Sequence, residues 1–252
     1  MKRTIVLAIF FVIFTSFVHP GVSVPAYAAL VTPNDTLYAN QGYLRQIHVP
    51  EAWSLTTGSA KITIAIIDSG IDVDHPEFQD SIWTNPDEVP GDGIDNDKNG
   101  YVDDINGWDF INNIPDPNAK FGGDFSFAGI NHGTLLAGII AARGNNGFGI
   151  AGISWQSRLM PLRVLNNKGE GNVFSVVQAI DYAIAKRAHI INLSFTSSAD
   201  SSFLRAAIVR ALRAGITVVI AAGNDDTVEH GFDLSEHPVY PACSSFLEGG
   251  VI

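Results

Sequence analysis

Ile62-Thr63-Ile64-Ala65-Ile66-Ile67, running directly into Asp68-Ser69-Gly70, fixes the architecture of this chain. Six apolar or β-branched residues without polar alternation describe a strand buried on both faces, and such strands belong to parallel sheets covered by helices. Gly70 permits the tight turn that ends it. Working outward, residues 159–165, 190–193 and 216–220 repeat the apolar pattern, and residues 132–143, 173–188 and 202–214 have helical spacing between them. In the first helix Leu135, Leu136, Ile139 and Ile140 share a face and Asn131 is the expected N-cap. In the second the stripe is Phe174, Val177, Ile180 and Ile184, and the third stops at Gly215. Alternation of this kind predicts an α/β protein with a doubly wound parallel sheet in three layers, helix, sheet and helix.

Ligands of such sheets sit beyond the carboxyl ends of the strands, where this sequence places Asp68, Ser194 and Asn224, with His132 opening a helix. A carboxylate bonded to one imidazole nitrogen fixes the tautomer that leaves the other nitrogen free to accept a proton. Taken singly, each residue also has an ordinary reading: Asp68 as a turn cap, His132 as a helix-terminal residue, Asn224 as part of a Gly-Asn turn. Their order, Asp then His then an amide, is what points to chemistry.

Composition narrows the field. The chain has 252 residues, 46% hydrophobic and 16% charged, enough for one sizeable core. A net charge of -11 argues against a nucleic-acid partner, and the single cysteine, Cys243, excludes a disulfide scaffold or Cys-rich zinc site. Lys2 and Arg3 precede a 14-residue, largely apolar run at 5–18, then Pro20 and the small-residue triplet Ala26-Tyr27-Ala28. That pattern predicts a secretory signal over residues 1–28 and one domain over 29–252, secreted or on the cell-envelope exterior and not membrane-bound after cleavage. The run is short of the ~20 residues that span a bilayer.

The acidity is local. Residues 68–124 hold 15 acidic and two basic side chains, and the rest of the mature chain has 11 of each sign. Within that segment Asp95-Asn96-Asp97-Lys98-Asn99-Gly100 places oxygen side chains at alternate positions before a Gly turn, as the first half of an EF-hand loop does. Asp95, Asp97, Asn99 and Asp103 are the expected Ca2+ ligands; the twelfth position is Asn106, where that motif has Glu. A solvated Asp/Asn/Gly loop is the alternative.

Three ordered motifs, Ile66-Ile67-Asp68-Ser69-Gly70-Ile71-Asp72, His132-Gly133-Thr134-Leu135-Leu136-Ala137-Gly138 and Ala221-Ala222-Gly223-Asn224-Asp225, resemble the subtilisin-like serine peptidases from about Val31 onward. The resemblance implies Asp68 as the orienting carboxylate, His132 as general base and Asn224 as side-chain donor of the oxyanion hole. It also implies substrate edges at Gly169-Glu170-Gly171 and Ser194-Phe195-Thr196, between which an extended polypeptide substrate adds as a strand. A second calcium site is implied at Asp35, Glu77, Asn146 and carbonyls of the loop at 144–150. Leu135 stands where the family motif commonly has a second His, with altered packing and an intact base expected. Thr196 stands where Gly is usual, narrowing a pocket.

The family's nucleophile lies in a Gly-Thr-Ser motif well beyond the position matched by Asn224, and no Gly-Thr-Ser occurs in these 252 residues. Gly152-Ile153-Ser154 and Ser244-Ser245 lack the motif. The resemblance therefore implies a domain that stops before its serine, a sheet incomplete at the C-terminus, no room for the usual propeptide and, as it stands, no competent peptidase. A monomer is expected. The alternative is a non-catalytic protein of the same fold that binds peptide or calcium; the Asp, His and Asn motifs argue against an unrelated calcium-loop adhesion module.

Overall fold

The computed structural model describes residues 30–119, 126–224 and 233–244, so the expected signal at 1–28 lies outside the described residues. Five strands, β1 (Thr63–Asp68), β2 (Trp108–Asp109), β3 (Arg158–Arg163), β4 (Ile190–Leu193) and β5 (Thr217–Ile220), form one parallel sheet in the order β2-β3-β1-β4-β5. β1 lies at its centre, with Thr63 opposite Arg158 and Ile64 opposite Ile190. All six of its residues are buried, as the unbroken apolar run requires.

Alternation along β1 divides the core. Ala65 and Ile67 pack with Met160, Leu162 and the helices α4 (Val173–Ala185) and α5 (Ser202–Arg213), whereas Ile64 and Ile66 pack with Leu159, Phe78 and α3 (Phe127–Ala141). Each fully buried isoleucine contributes roughly 1.5–3 kcal/mol. Two short helices, α1 (Gly42–Gln46) and α2 (Val49–Trp53), fold back onto Ala151 and Trp155, where Trp53 and Trp155 stand 4.7 Å apart between ring centroids.

Two helical expectations need correction. α3 starts at Phe127, capped by Ser126, whose hydroxyl accepts from Gly129 N, and Asn131 is therefore inside the helix. Its buried face is Gly129, Ile130, Gly133, Ala137, Gly138 and Ala141, while Leu135 and Ile139 are exposed. Small residues win that face because the helix lies against backbone: a Cβ on Gly129 would come within 2.5 Å of Lys168 C. In α4 the buried face is Ser175, Val176, Ala179, Ile180, Tyr182 and Ala183; of the expected stripe Ile180 is buried, Val177 and Ile184 pack half-buried against the core, and Phe174 alone is exposed. α5 ends as expected, with Gly215 at φ 81°.

On the α3 side of the sheet, over β4 and β5, no helix among the described residues covers Ile190 and Val219. With Ile62, Ile64, Ile140 and Ile153 they line an apolar groove of about 520 Å³. No helix among the described residues is long and apolar enough to cross a membrane.

Candidate active site

The end of β1 and the second turn of α3 are locked together by short polar contacts. Ser69 Oγ donates to Ile130 O at 3.3 Å and accepts from Gly133 N at 3.1 Å, and Asp72 N donates to Thr134 Oγ1 at 3.0 Å. Gly133 makes the approach possible, since a Cβ there would stand 2.3 Å from Gly70 O. The result is a side-chain pair: His132 Nδ1 lies 2.9 Å from both Asp68 carboxylate oxygens, and Ser69 N donates to Asp68 Oδ1 at 2.7 Å.

Asp68 is fully buried, and the His132 side chain is 41% exposed. A carboxylate only accepts, so the imidazole proton sits on Nδ1 and the Nε2 lone pair is left to face solvent or a reactant. The Asp68 hydrogen bond holds the His132 imidazole above its usual range; partial burial opposes this and the Asp68 charge adds to it. Such a pair can take up a proton and stabilise the imidazolium that forms.

β1, β4 and β5 run parallel, so Ser194 after β4 and Asn224 after β5 lie at the same sheet edge as Asp68. Asn224 is exposed in an irregular segment. Ser194 Oγ accepts from Asn192 Nδ2 and does not line the neighbouring groove. That groove, about 270 Å³, brings Gly169, Glu170 and Gly171 opposite Phe195 and Thr196. Leu204, Ser197 and Tyr240 are among its other lining residues, and Ser197 and Tyr240 are bridged antiparallel. Thr196 stands beside Gly223, its methyl 3.8 Å from where a Cβ on that glycine would be. Cys243 is a half-buried free thiol.

Two acidic clusters could hold a cation. In the first, Asp35 Oδ2 accepts from Asn145 N at 2.7 Å, and Asp35 Oδ1 is buried with no partner. Glu77 accepts from Ile150 N at 2.8 Å and from Asn146 Nδ2 at 3.0 Å, which turns the Asn146 amide nitrogen, not its oxygen, toward the carboxylate. Burial pushes Glu77 up, its two hydrogen bonds oppose this and the Asp35 charge adds to it. Buried carboxylates with an orphaned oxygen fit a hard divalent ion.

The second cluster is Glu88, Asp95 and Asp97, with ligand oxygens within 4.8 Å of one another. Glu88 lies outside the EF-hand pattern because it precedes it, and Asn106, at the twelfth position of that pattern, donates to Trp83 O. Glu88 also accepts from the amides of Asn96, Asp97 and Asp103. The Asp103 carboxylate is engaged elsewhere, accepting from Gly91 N and Gly93 N, and Asn99 Nδ2 donates to Asp104. Burial alone would raise Asp97, but hydrogen bonds from Lys186 and Asn85 and the Lys186 charge bring it below the usual carboxylate range.

The chain is thus a parallel α/β protein with a carboxylate–imidazole pair at the carboxyl edge of its sheet. The subtilase family model matches residues 59–246, and the chain belongs to that family. It is 38% identical over 199 residues to Subtilisin-like protease 1 of Plasmodium berghei, an alignment covering 76% of this chain and 32% of that protein. It is 34% identical over 194 residues to thermitase of Thermoactinomyces vulgaris, covering 77% of this chain and 58% of that one. A solved protease of Pseudoalteromonas arctica superposes with a TM-score of 0.58 at 28% identity, over 77% of this chain and 60% of the other. The chain thus spans less than two thirds of the length of each.

Proposed function

We propose that this chain provides the Asp–His half of a secreted, calcium-stabilised serine endopeptidase that acts as a monomer on polypeptides. The observation that carries this reading is the buried Asp68 carboxylate 2.9 Å from His132 Nδ1, with the family membership around it. In the proposed reaction His132 Nε2 takes the proton of an attacking serine hydroxyl as its oxygen bonds to the scissile carbonyl carbon, then returns that proton to the leaving amine. Asp68 keeps the imidazole in register, and Asn224 donates to the oxyanion. The substrate lies extended between residues 169–171 and Ser194, Phe195 and Thr196. Calcium is bound by Asp35, Glu77 and the 144–150 loop, and at Asp95 and Asp97 with Glu88; the ion supplies charge that fastens these segments and takes no part in the reaction. Residues 1–28 direct export, so the mature N-terminus is Ala29.

No Gly-Thr-Ser occurs in the 252 residues, so in this reading the nucleophile comes from polypeptide outside this sequence. The 252-residue chain is expected neither to hydrolyse casein nor to react with a fluorophosphonate serine probe. A polypeptide in which it is continued by a Gly-Thr-Ser segment is expected to do both and to lose both on His132→Ala. Casein hydrolysis by the 252-residue chain that survives His132→Ala overturns the assignment. That same sequence observation favours a second reading, a non-catalytic peptide binder, and peptide binding by a naturally ending 252-residue protein would support it.

A further inference from the structure

Residues 85–104 carry seven acidic side chains and one basic one, Lys98. The buried cation that meets them comes from another element, Lys186 at the end of α4. Its ammonium is ion-paired with Asp97, lies 3.8 Å from Asp104 Oδ2 and stands 5.8 Å from the centroid of the Tyr182 ring. The Lys186 side chain is 8% exposed and that of Asp104 fully buried. Asn85 Nδ2 donates to both Asp97 and Asp104, and Tyr182 Oη and Asn99 Nδ2 also donate to Asp104. Asp97 therefore faces two ways, toward Glu88 and Asp95 on one side and toward the ammonium on the other.

A buried ammonium is costly unless paired, and the C-terminal end of a helix adds a favourable field for it. We propose that Lys186 is the resident cation of the 85–104 excursion: it holds Asp97 and Asp104 in place without a metal and, by competing for Asp97, lowers the affinity of Glu88, Asp95 and Asp97 for a divalent ion. The proposal rests on the calcium reading of this loop given above. Removing one unit charge at this range is expected to tighten ion binding by about tenfold, because the charge count around such loops sets their affinity.

Tryptic cleavage after the exposed Lys98, followed by mass spectrometry, reads the order of the excursion directly. In EDTA, Lys186→Met is expected to be cut about tenfold faster than the wild type, and Lys186→Arg at close to the wild-type rate. Adding Asp97→Asn to Lys186→Met, which removes the unpaired carboxylate, is expected to slow cleavage again; if Lys186→Met alone does not fold, recovery of the fold in this double variant supports the pairing and failure to recover overturns it. In a calcium titration, protection of Lys186→Met is expected at about tenfold lower calcium than protection of the wild type. Equal cleavage rates in EDTA, or an unchanged calcium midpoint, overturns the proposal. Should calcium protect neither protein, the calcium reading of the loop fails, and the EDTA rates alone decide the role of Lys186.

Discussion

Asp68 and the carboxylates of residues 85–104 are held in position by opposite means. Asp68 ends a strand paired on both sides, and α3 is brought to it by two hydrogen bonds to Ser69 and the bare backbone of Gly133. In the excursion no strand sets the path. There the carboxylates themselves shape the backbone: Glu88 accepts from three amides, and Asp95 and Asp103 from two each. One site is preset by a scaffold and sensitive to volume; the other is built by charge and sensitive to what neutralises it.

The largest test of that contrast is volume at the preset site. Gly133→Ala forces a methyl against Gly70 O and is expected to cost about 3 kcal/mol in urea unfolding, the upper range of overpacking effects. A loss under 1 kcal/mol would show that α3 can slide and that the pair is not preset. Asp35 probes charge from a third place: at calcium a hundredfold above its dissociation constant, chelation is expected to lower stability by about 2.7 kcal/mol, and Asp35→Asn to remove most of that difference. Equal response to EDTA in both proteins would leave the orphaned oxygen without a cation.

A smaller effect separates the two regions by pH. The His132 imidazole titrates above its unfolded value, so the stabilisation it draws from Asp68 is complete below about pH 6.5 and disappears as pH rises through the folded pKa. His132→Gln is expected to flatten that decline in the urea midpoint, and Asp68→Asn to bring the imidazole titration, followed by NMR, down toward its ordinary value. The base in the proposed reaction works on the other side of the same titration, above the folded pKa. The smallest effect is expected at Gly100, where φ is 94° and a Cβ meets nothing within 4 Å. Gly100→Ala should cost only the backbone strain, about 1 kcal/mol, and a loss as large as at Gly133 would mean that the excursion is as tightly packed as the core.

What the sequence made legible follows from range. β1, β4 and the Asp68 turn are written in local runs of residues, and the end of α5 in Gly215. The start and inner face of α3 depart from the hydrophobic stripe because Gly129 and Gly133 act through the lack of a side chain and Ala137 through a small one, which such a stripe cannot register. β2 is two residues long and is held partly by the buried Arg163–Asp109 ion pair, 2.7 Å across, a contact no local pattern announces. The same holds for Glu88 and Lys186, each of which reaches the acidic loop from outside the motif.

The central position of β1 also governs the order of events in folding. Its partners lie on the order of a hundred residues downstream, Arg158 for Thr63 and Ile190 for Ile64, so neither edge of the strand is satisfied until long loops close. A chain emerging from synthesis therefore carries an apolar six-residue ribbon with both edges open for as long as those loops take to close. Its yield on refolding should depend more steeply on protein concentration than that of a domain built from local hairpins, with Ile64, Ile66 and Ile67 as the sites of early self-association.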